Sequence, residues 1–209
     1  MLNPRVGMSR RGVVVAALAT GALALSAPAR AEAPAPHAVP GIHPRAAWRA
    51  APALPGGRPH TAVRFGLHHT AGNLVGSAQA PSTLRGIQAF HQHGKGWIDL
   101  AYHVFVDADG AAWEGRDPAL AGDTATTYDP AGYFLVCALG NFETTVPPAA
   151  QVEGIARVLA ALSRARGLPL TTLAAHRDLA ATLCPGAHLY ALVEPIRARA
   201  IALAAATTP

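Results

Sequence analysis

Apolar positions along the chain predict strands of two kinds. Residues 63–69 alternate, which places Phe65 and Leu67 on one face of a strand and His68 on the other. Residues 133–139 are apolar throughout, as expected of a central strand that is buried on both faces. Three shorter strands are predicted at 101–106, 111–114 and 171–175, the first two joined by an Asp-Gly turn.

Apolar residues at helical spacing alternate with these strands. The helices are predicted at 82–93, 148–166 and 188–206. Ser82 is the expected N-cap of the first helix, and Gly167 is the expected end of the second. The stretch 32–60 is rich in Pro, Ala and Gly and has no period, which predicts an extended lead-in with few regular elements. Strands separated by helices over this length predict an α/β domain with one core.

The first 31 residues have the three-part layout of an export signal. Arg5, Arg10 and Arg11 precede an uncharged run, and Ala29-Arg30-Ala31 has the small-x-small form of a cleavage site. The paired arginines resemble a twin-arginine signal, although the Sec route stays open. An uncleaved membrane anchor is the alternative, because the uncharged run reaches the lower limit for a span. We predict cleavage after residue 31, no stable membrane span afterwards, and a periplasmic or secreted protein.

Charge and composition exclude several classes of protein. The formal net charge is +5, but residues 1–31 contain four arginines and no acid, which leaves 13 basic against 12 acidic residues in the rest. That near-neutral remainder has no basic stripe with interleaved aromatic residues, so no nucleic-acid partner is predicted. A hydrophobic content of 51% excludes a disordered polyelectrolyte, and 2 cysteines exclude a disulfide-stapled scaffold.

One motif near the C-terminus brings candidate metal ligands together. His176 follows the end of a predicted strand, and a loop of seven residues separates it from Cys184. Imidazole and thiolate are ligands that Zn²⁺ prefers, and His68 would complete a set of three, the number typical of catalytic zinc sites. Two alternatives stay open on spacing alone. Cys184 could be a buried thiol beside a capping His176, or a nucleophile with His176 as its base.

Five motifs, including the one just described, occur in order between residues 41 and 190. They are His68-His69-Thr70-Ala71, the run from Trp97 to Gly110, Glu114-Gly115-Arg116, Gly140-Asn141-Phe142, and the run from His176 to Gly186. With these motifs the sequence resembles the type 2 N-acetylmuramoyl-L-alanine amidase family, which includes the peptidoglycan recognition proteins. The resemblance implies that residues 61–209 form a zinc amidase domain, with a central mixed β-sheet flanked by about three helices.

The resemblance also implies a site and a reaction. It implies that Zn²⁺ is bound by His68, His176 and Cys184. It places Tyr102 and Thr182 beside the reacting water. The implied activity is zinc-dependent hydrolysis of the amide between N-acetylmuramic acid and L-alanine, in peptidoglycan or muropeptides, by a monomeric enzyme. The alternative is a non-catalytic peptidoglycan-binding module of the same fold, although that branch typically lacks the cysteine ligand.

The chain departs from the family pattern in one loop. Where relatives usually have Gly-Ala-His-Ala before Gly-Tyr-Asn, this chain has Gly122-Asp123-Thr124-Ala125 and then Thr127-Tyr128-Asp129. The missing histidine belongs to the substrate-facing loop, so we expect a change in ligand preference rather than in zinc binding.

Several polar and sulfur-containing residues have structural roles predicted for them. Cys137 is expected to be a buried free thiol, although a disulfide between Cys137 and Cys184 would remove a zinc ligand. His103 is expected to be a hydrogen-bonded residue within the sheet. A salt bridge is expected between Glu114 and Arg116 at the end of the hairpin. Asp178 is expected either to orient His176 or to cap the following turn.

Overall fold

A six-stranded mixed sheet forms the centre of the domain. The computed structural model describes residues 41–206, so the predicted export signal at 1–31 lies outside it. The strands are Ile42–His43 (β1), Arg64–His69 (β2), Val104–Val106 (β3), Ala112–Glu114 (β4), Tyr133–Ala138 (β5) and Ala174–Ala175 (β6). Their order is β1-β4-β3-β5-β2-β6, with β3 and β4 antiparallel and the other neighbours parallel. The predicted mixed sheet of an α/β domain is confirmed.

Within residues 41–206, three helices of ten or more residues flank this sheet, as predicted. The helices are Ala80–Ala89 (α1), Ala149–Arg166 (α2), His176–Leu179 (α3), Ala187–Tyr190 (α4) and Val193–Ala206 (α5). A π-helical turn at Phe90–Gly94 extends α1. The prediction of Ser82 as N-cap is wrong, because α1 begins two residues earlier and has Gln79 at that position. Pro81 fits the first turn, where a missing N–H costs no hydrogen bond.

Alternation along the strands separates two apolar layers. One layer contains Phe65, Leu67 and Phe134 and is covered by α2 and α5, which contribute residues such as Leu159. The other layer packs against α1 and includes fully buried Phe105. The two layers together bury β5 on both faces, as its unbroken apolar run predicts. Each large aliphatic or aromatic side chain removed from water contributes about 1.5–3 kcal/mol.

The β3–β4 hairpin turn packs directly against α2. Gly110 has a φ of +81° in this turn, a conformation that favours glycine. A Cβ on Gly110 would also lie 2.3 Å from the carbonyl oxygen of Ala150. The Asp-Gly turn that the sequence predicts is therefore required both by its backbone conformation and by its contact with α2.

Part of the Pro-rich lead-in belongs to the folded core. Residues Ile42–His43 pair with β4 at the sheet edge, and a 3₁₀ turn follows at Arg45–Trp48. Trp48 is fully buried and donates its indole N–H to the carbonyl oxygen of Glu114 at 2.9 Å. Elements this short have no periodicity to detect. Among residues 41–206, no helix is long and apolar enough to cross a bilayer.

Parallel pairing of β2 with β6 positions the residues that carry the candidate chemistry. Leu67 pairs with Ala175, so the last residues of β2 lie beside the start of α3. Strands that run parallel bring their carboxyl ends to the same edge of a sheet. His68 and His176, which are distant in sequence, are therefore brought to one place.

Candidate metal centre

Three potential ligand groups converge at the carboxyl ends of β2 and β6. His68 lies near the end of β2, His176 begins α3, and Cys184 lies in the loop between α3 and α4. One ligand atom from each lies within 4.8 Å of the others. The Sγ atom of Cys184 is 3.7 Å from Nδ1 of His68. The structure thus brings together the three residues that the sequence predicted as ligands.

The two adjacent histidines of β2 have different surroundings. His69 points to the opposite face, where its Nδ1 accepts the N–H of Phe142 at 3.2 Å. Burial lowers the pKa of His69 to about 4. The His68 ring instead lies 4.7 Å from the ring of His176, measured between centroids. Strand alternation predicts that only one of these neighbours can reach the cluster, and the structure confirms it.

The chemistry of the cluster fits a bound cation. Burial lowers the pKa of both His68 and His176, so both imidazoles are neutral near pH 7 and offer a lone pair. Nδ1 of His176 is buried and has no hydrogen-bond partner among the described residues. Burial raises the pKa of the Cys184 thiol to about 12, so a thiolate there requires compensating positive charge. Two imidazoles and one thiol suit Zn²⁺.

Tyr102 and Thr182 lie next to the ligand cluster. The ring of Tyr102 is 4.9 Å from that of His68, between centroids. Burial raises the pKa of Tyr102 well above its usual value, so its hydroxyl stays protonated and can donate. Thr182 is half-buried, and its Oγ1 accepts the backbone N–H of Cys184 at 3.2 Å. That bond shapes the loop that carries the cysteine and does not use the threonine's own proton.

Two residues that the sequence did not assign to this cluster contact its histidines. Oγ1 of Thr126 is 2.8 Å from Nε2 of His176, and the Tyr128 hydroxyl is 3.3 Å from Nε2 of His68. By resemblance this stretch belongs to the substrate-facing loop, where a histidine usual in the family is missing. The departure from the family pattern was the available signal, but sequence separations of 50 and 60 residues hid the contacts.

Residues 123–129 form a loop, called here the 123–129 loop, and an arginine pairs with an aspartate at each of its ends. Arg116 pairs with Asp123, and Arg58 pairs with Asp129. The predicted bridge between Glu114 and Arg116 is therefore wrong. The guanidinium of Arg116 is buried and also donates to backbone carbonyls, which satisfies N–H groups that a single surface carboxylate could not reach.

Other polar side chains have structural partners. The carboxylate of Asp178 accepts the N–H of Ala175 at 2.7 Å, so it caps α3 rather than orienting His176. His103 accepts the N–H of Leu135 at 2.8 Å and lies 3.0 Å from the carbonyl oxygen of Leu120, as its predicted structural role requires. Cys137 is buried, and both cysteines are free thiols. The predicted free thiol is confirmed.

A cleft of about 340 Å³ adjoins the 123–129 loop. Its lining includes Trp97, Arg116, Asp123 and Thr124. The hydroxyls of Thr124 and Thr126 are 2.8 Å apart, and Thr126 in turn contacts His176. This cleft and the ligand cluster are therefore connected by two hydrogen-bond steps.

Comparison with known proteins gives consistent matches. The profile of the N-acetylmuramoyl-L-alanine amidase family matches residues 60–187. Peptidoglycan-recognition protein SC2 of Drosophila simulans is 33% identical over 126 residues, covering 59% of this chain and 68% of the fly protein. The human N-acetylmuramoyl-L-alanine amidase is 32% identical over 163 residues, covering 74% of this chain and 28% of the human protein.

A solved structure extends the similarity to the fold. The crystal structure of human PGRP-IBETAC in complex with glycosamyl muramyl pentapeptide aligns with a TM-score of 0.67 and 29% sequence identity. The alignment covers 74% of this chain and 95% of the human one. Both the sequence and the fold are therefore similar to those of peptidoglycan recognition proteins.

Proposed function

The chain belongs to the N-acetylmuramoyl-L-alanine amidase family, and from this premise we propose that it is a zinc-dependent amidase. The proposed substrate is the amide between N-acetylmuramic acid and L-alanine, in peptidoglycan or muropeptides. The observation that carries the proposal is the convergence of His68, His176 and Cys184 within 4.8 Å. A relative named as an amidase and a neighbour solved with a muramyl pentapeptide support the substrate class.

The chain's residues have distinct roles in this proposal. Zn²⁺ bound by the three ligands would supply Lewis-acid polarisation of the scissile carbonyl and activation of a water molecule. The imidazoles of His68 and His176 are neutral, so each has a lone pair that can bind the metal. Tyr102 keeps its proton and donates a hydrogen bond to the oxyanion that develops on the carbonyl. One such donor typically contributes about 3 kcal/mol to the transition state. Thr182 holds the Cys184 loop and offers a second donor.

A second candidate is a module that binds cell-wall fragments without cutting them. The names of several relatives describe recognition rather than hydrolysis, which favours this candidate. The presence of Cys184 beside two histidines favours the enzyme, because binding alone requires no metal ligands.

A cysteine nucleophile at Cys184 is disfavoured by its surroundings. Nucleophilic thiols have lowered pKa values, whereas burial raises the pKa of this thiol to about 12. The imidazole nitrogen in contact with Cys184 Sγ belongs to His68 rather than to the predicted base, His176.

A defined muropeptide separates these candidates. The zinc-loaded protein is incubated with a disaccharide–tetrapeptide, with and without a strong chelator, and product masses are measured. We expect free tetrapeptide and intact disaccharide, loss of both on chelation, and recovery when zinc is restored. Release that chelation leaves unchanged would overturn the zinc mechanism. Binding of the muropeptide without cleavage would favour the recognition module.

Export to the periplasm or beyond forms part of the same proposal, because the substrate lies outside the cytoplasm. Cleavage after residue 31 predicts a mature chain that begins at Glu32. Replacing Arg10 and Arg11 with lysines should retain the protein in the cytoplasm if export follows the twin-arginine route. N-terminal sequencing and cell fractionation measure the two outcomes, and a mature chain that begins at Met1 would contradict cleavage.

A further inference from the structure

The 123–129 loop contacts the outer nitrogen of both histidine ligands. In each ring the atom in contact with the loop is Nε2. Thr126 provides the hydroxyl at His176, and Tyr128 provides the hydroxyl at His68. We propose that Thr126 and Tyr128 are positioning residues, which fix the tautomer and orientation of the two imidazoles so that both Nδ1 atoms face the metal. This inference rests on the proposed zinc site.

The remaining nitrogen of each ring supports this assignment. Nδ1 of His68 lies 3.7 Å from the Cys184 sulfur, on the side away from Tyr128. Nδ1 of His176 is buried and has no hydrogen-bond partner among residues 41–206. A neutral imidazole has one N–H donor and one lone pair. If the loop hydroxyls accept from Nε2–H in both rings, both Nδ1 lone pairs are left for the metal.

Hydrogen bonds within the loop are compatible with Thr126 accepting the proton of His176. Oγ1 of Thr126 is 2.8 Å from Oγ1 of Thr124, which also accepts the backbone N–H of Thr126 at 3.1 Å. Thr126 can therefore donate its own proton to Thr124 while it accepts the proton of His176. In this arrangement every hydroxyl of the pair has a consistent role, and the proton on His176 is held at Nε2.

An ion pair joins each end of the loop to the rest of the domain. Asp123 at its start pairs with buried Arg116. Asp129 at its end pairs with Arg58 and also accepts the N–H of Ala131 at 2.9 Å. Groups that hydrogen-bond to the outer nitrogen of a metal-bound histidine orient that ring, and their loss typically costs about 10–100-fold in metal affinity.

Substitutions that remove one hydroxyl test the inference on the full-length protein. Thr126→Val keeps the size of the side chain but removes its hydroxyl, and Thr126→Ser keeps the hydroxyl. Tyr128→Phe removes only the phenolic oxygen. Thr127→Val, at the exposed residue between them, is the matched control. Zinc affinity is measured by competition with a chromogenic chelator, and cobalt-substituted protein reports ligand geometry through its visible spectrum.

We expect Thr126→Val and Tyr128→Phe each to weaken zinc binding by about 10-fold or more and to alter the cobalt spectrum. Thr126→Ser should stay within about twofold of the wild type, and Thr127→Val should match it. Thermal midpoints of the metal-free variants should agree, which separates positioning from folding. Unchanged zinc affinity in Thr126→Val and Tyr128→Phe, or an equal loss in Thr126→Ser, would overturn the inference and leave the proposed amidase intact. Failure of the wild type to bind zinc would overturn both.

Discussion

The two faces of the central sheet use the same strands for different purposes. The face covered by α2 and α5 is a closed apolar layer, in which Phe65, Leu67 and Leu159 are fully buried. The opposite face carries the ligand cluster at its edge, with neutral imidazoles, a thiol and a surrounding set of hydroxyls. Along β2 one residue separates the two environments. We therefore expect substitutions in the apolar layer to change the free energy of unfolding, and substitutions in the cluster to change zinc binding and hydrolysis.

The largest effect is expected from Cys184, the sulfur ligand of the cluster. Cys184→Ser removes the thiolate ligand, so zinc affinity should fall by more than about 100-fold, beyond the typical cost of losing a partner of a ligand. Muropeptide hydrolysis should be lost as well. Cys137→Ser, at the buried cysteine, is the matched control and should retain full zinc content. Equal zinc content in the two variants, measured by elemental analysis, would contradict the ligand assignment.

A truncation in the apolar layer covered by α2 and α5 should lower stability and leave zinc affinity unchanged. Leu159 lies in α2 and is fully buried. Leu159→Ala should lower the free energy of unfolding by about 3 kcal/mol, because it removes apolar contacts and leaves a cavity. Urea denaturation of the metal-free protein measures this loss. A large fall in zinc affinity in the folded variant would show that the two faces are not separable.

Removing the Tyr102 hydroxyl should affect the reaction and leave the metal in place. Tyr102→Phe should lower kcat by about 100-fold, since one oxyanion donor is lost. Zinc affinity should stay within about twofold of the wild type, because Tyr102 is not a ligand in this proposal. Kinetics with a defined muropeptide and chelator competition provide the two values. A variant with wild-type kcat would remove Tyr102 from the mechanism.

Buried histidines outside the cluster predict a smaller dependence of stability on pH. Burial lowers the pKa of His103 to about 3 and that of His91 to about 4. The unfolded chain takes up these protons below about pH 6.5, whereas the folded chain does not until near pH 4. Stability should therefore rise with pH between 4 and 6.5, by at most about 1.4 kcal/mol per unit for each histidine.

Urea denaturation of the metal-free protein at pH 7, 6 and 5 measures that slope. His91→Asn is the matched variant, because its amide oxygen can still accept the N–H of Ala101 that His91 accepts at 3.1 Å. The variant should show a shallower slope than the wild type. Stability that is constant from pH 7 to pH 5 would contradict the prediction.

Local signals predicted the elements that are long or bounded by glycine. The apolar run of β5 and the helical spacing of α2 were both placed to within a residue or two. Gly167 ends α2 with a φ of +68°, a conformation that glycine adopts without strain. The lead-in differs, because β1 and the burial of Trp48 depend on pairing with a distant strand and leave no period in the sequence.

The candidate site divides in the same way. His68, His176 and Cys184 were predictable because residue type, strand position and family motif all agree on them. Thr126 and Tyr128 were not, because their contacts depend on the path of the 123–129 loop, whose ends pair with Arg58 and with the buried Arg116. Such tertiary contacts determine which groups reach a ligand, and sequence spacing alone does not encode them.

X-ray absorption at the zinc edge tests the central claim most directly, because it reports the atoms bound to the metal. In the zinc-loaded wild type we predict one sulfur at about 2.3 Å and nitrogen ligands at about 2.0–2.1 Å. Cys184→Ser should lose the sulfur contribution, and Cys137→Ser should keep it. A zinc ion without a sulfur ligand in the wild type, or with sulfur retained in Cys184→Ser, would contradict the proposed centre.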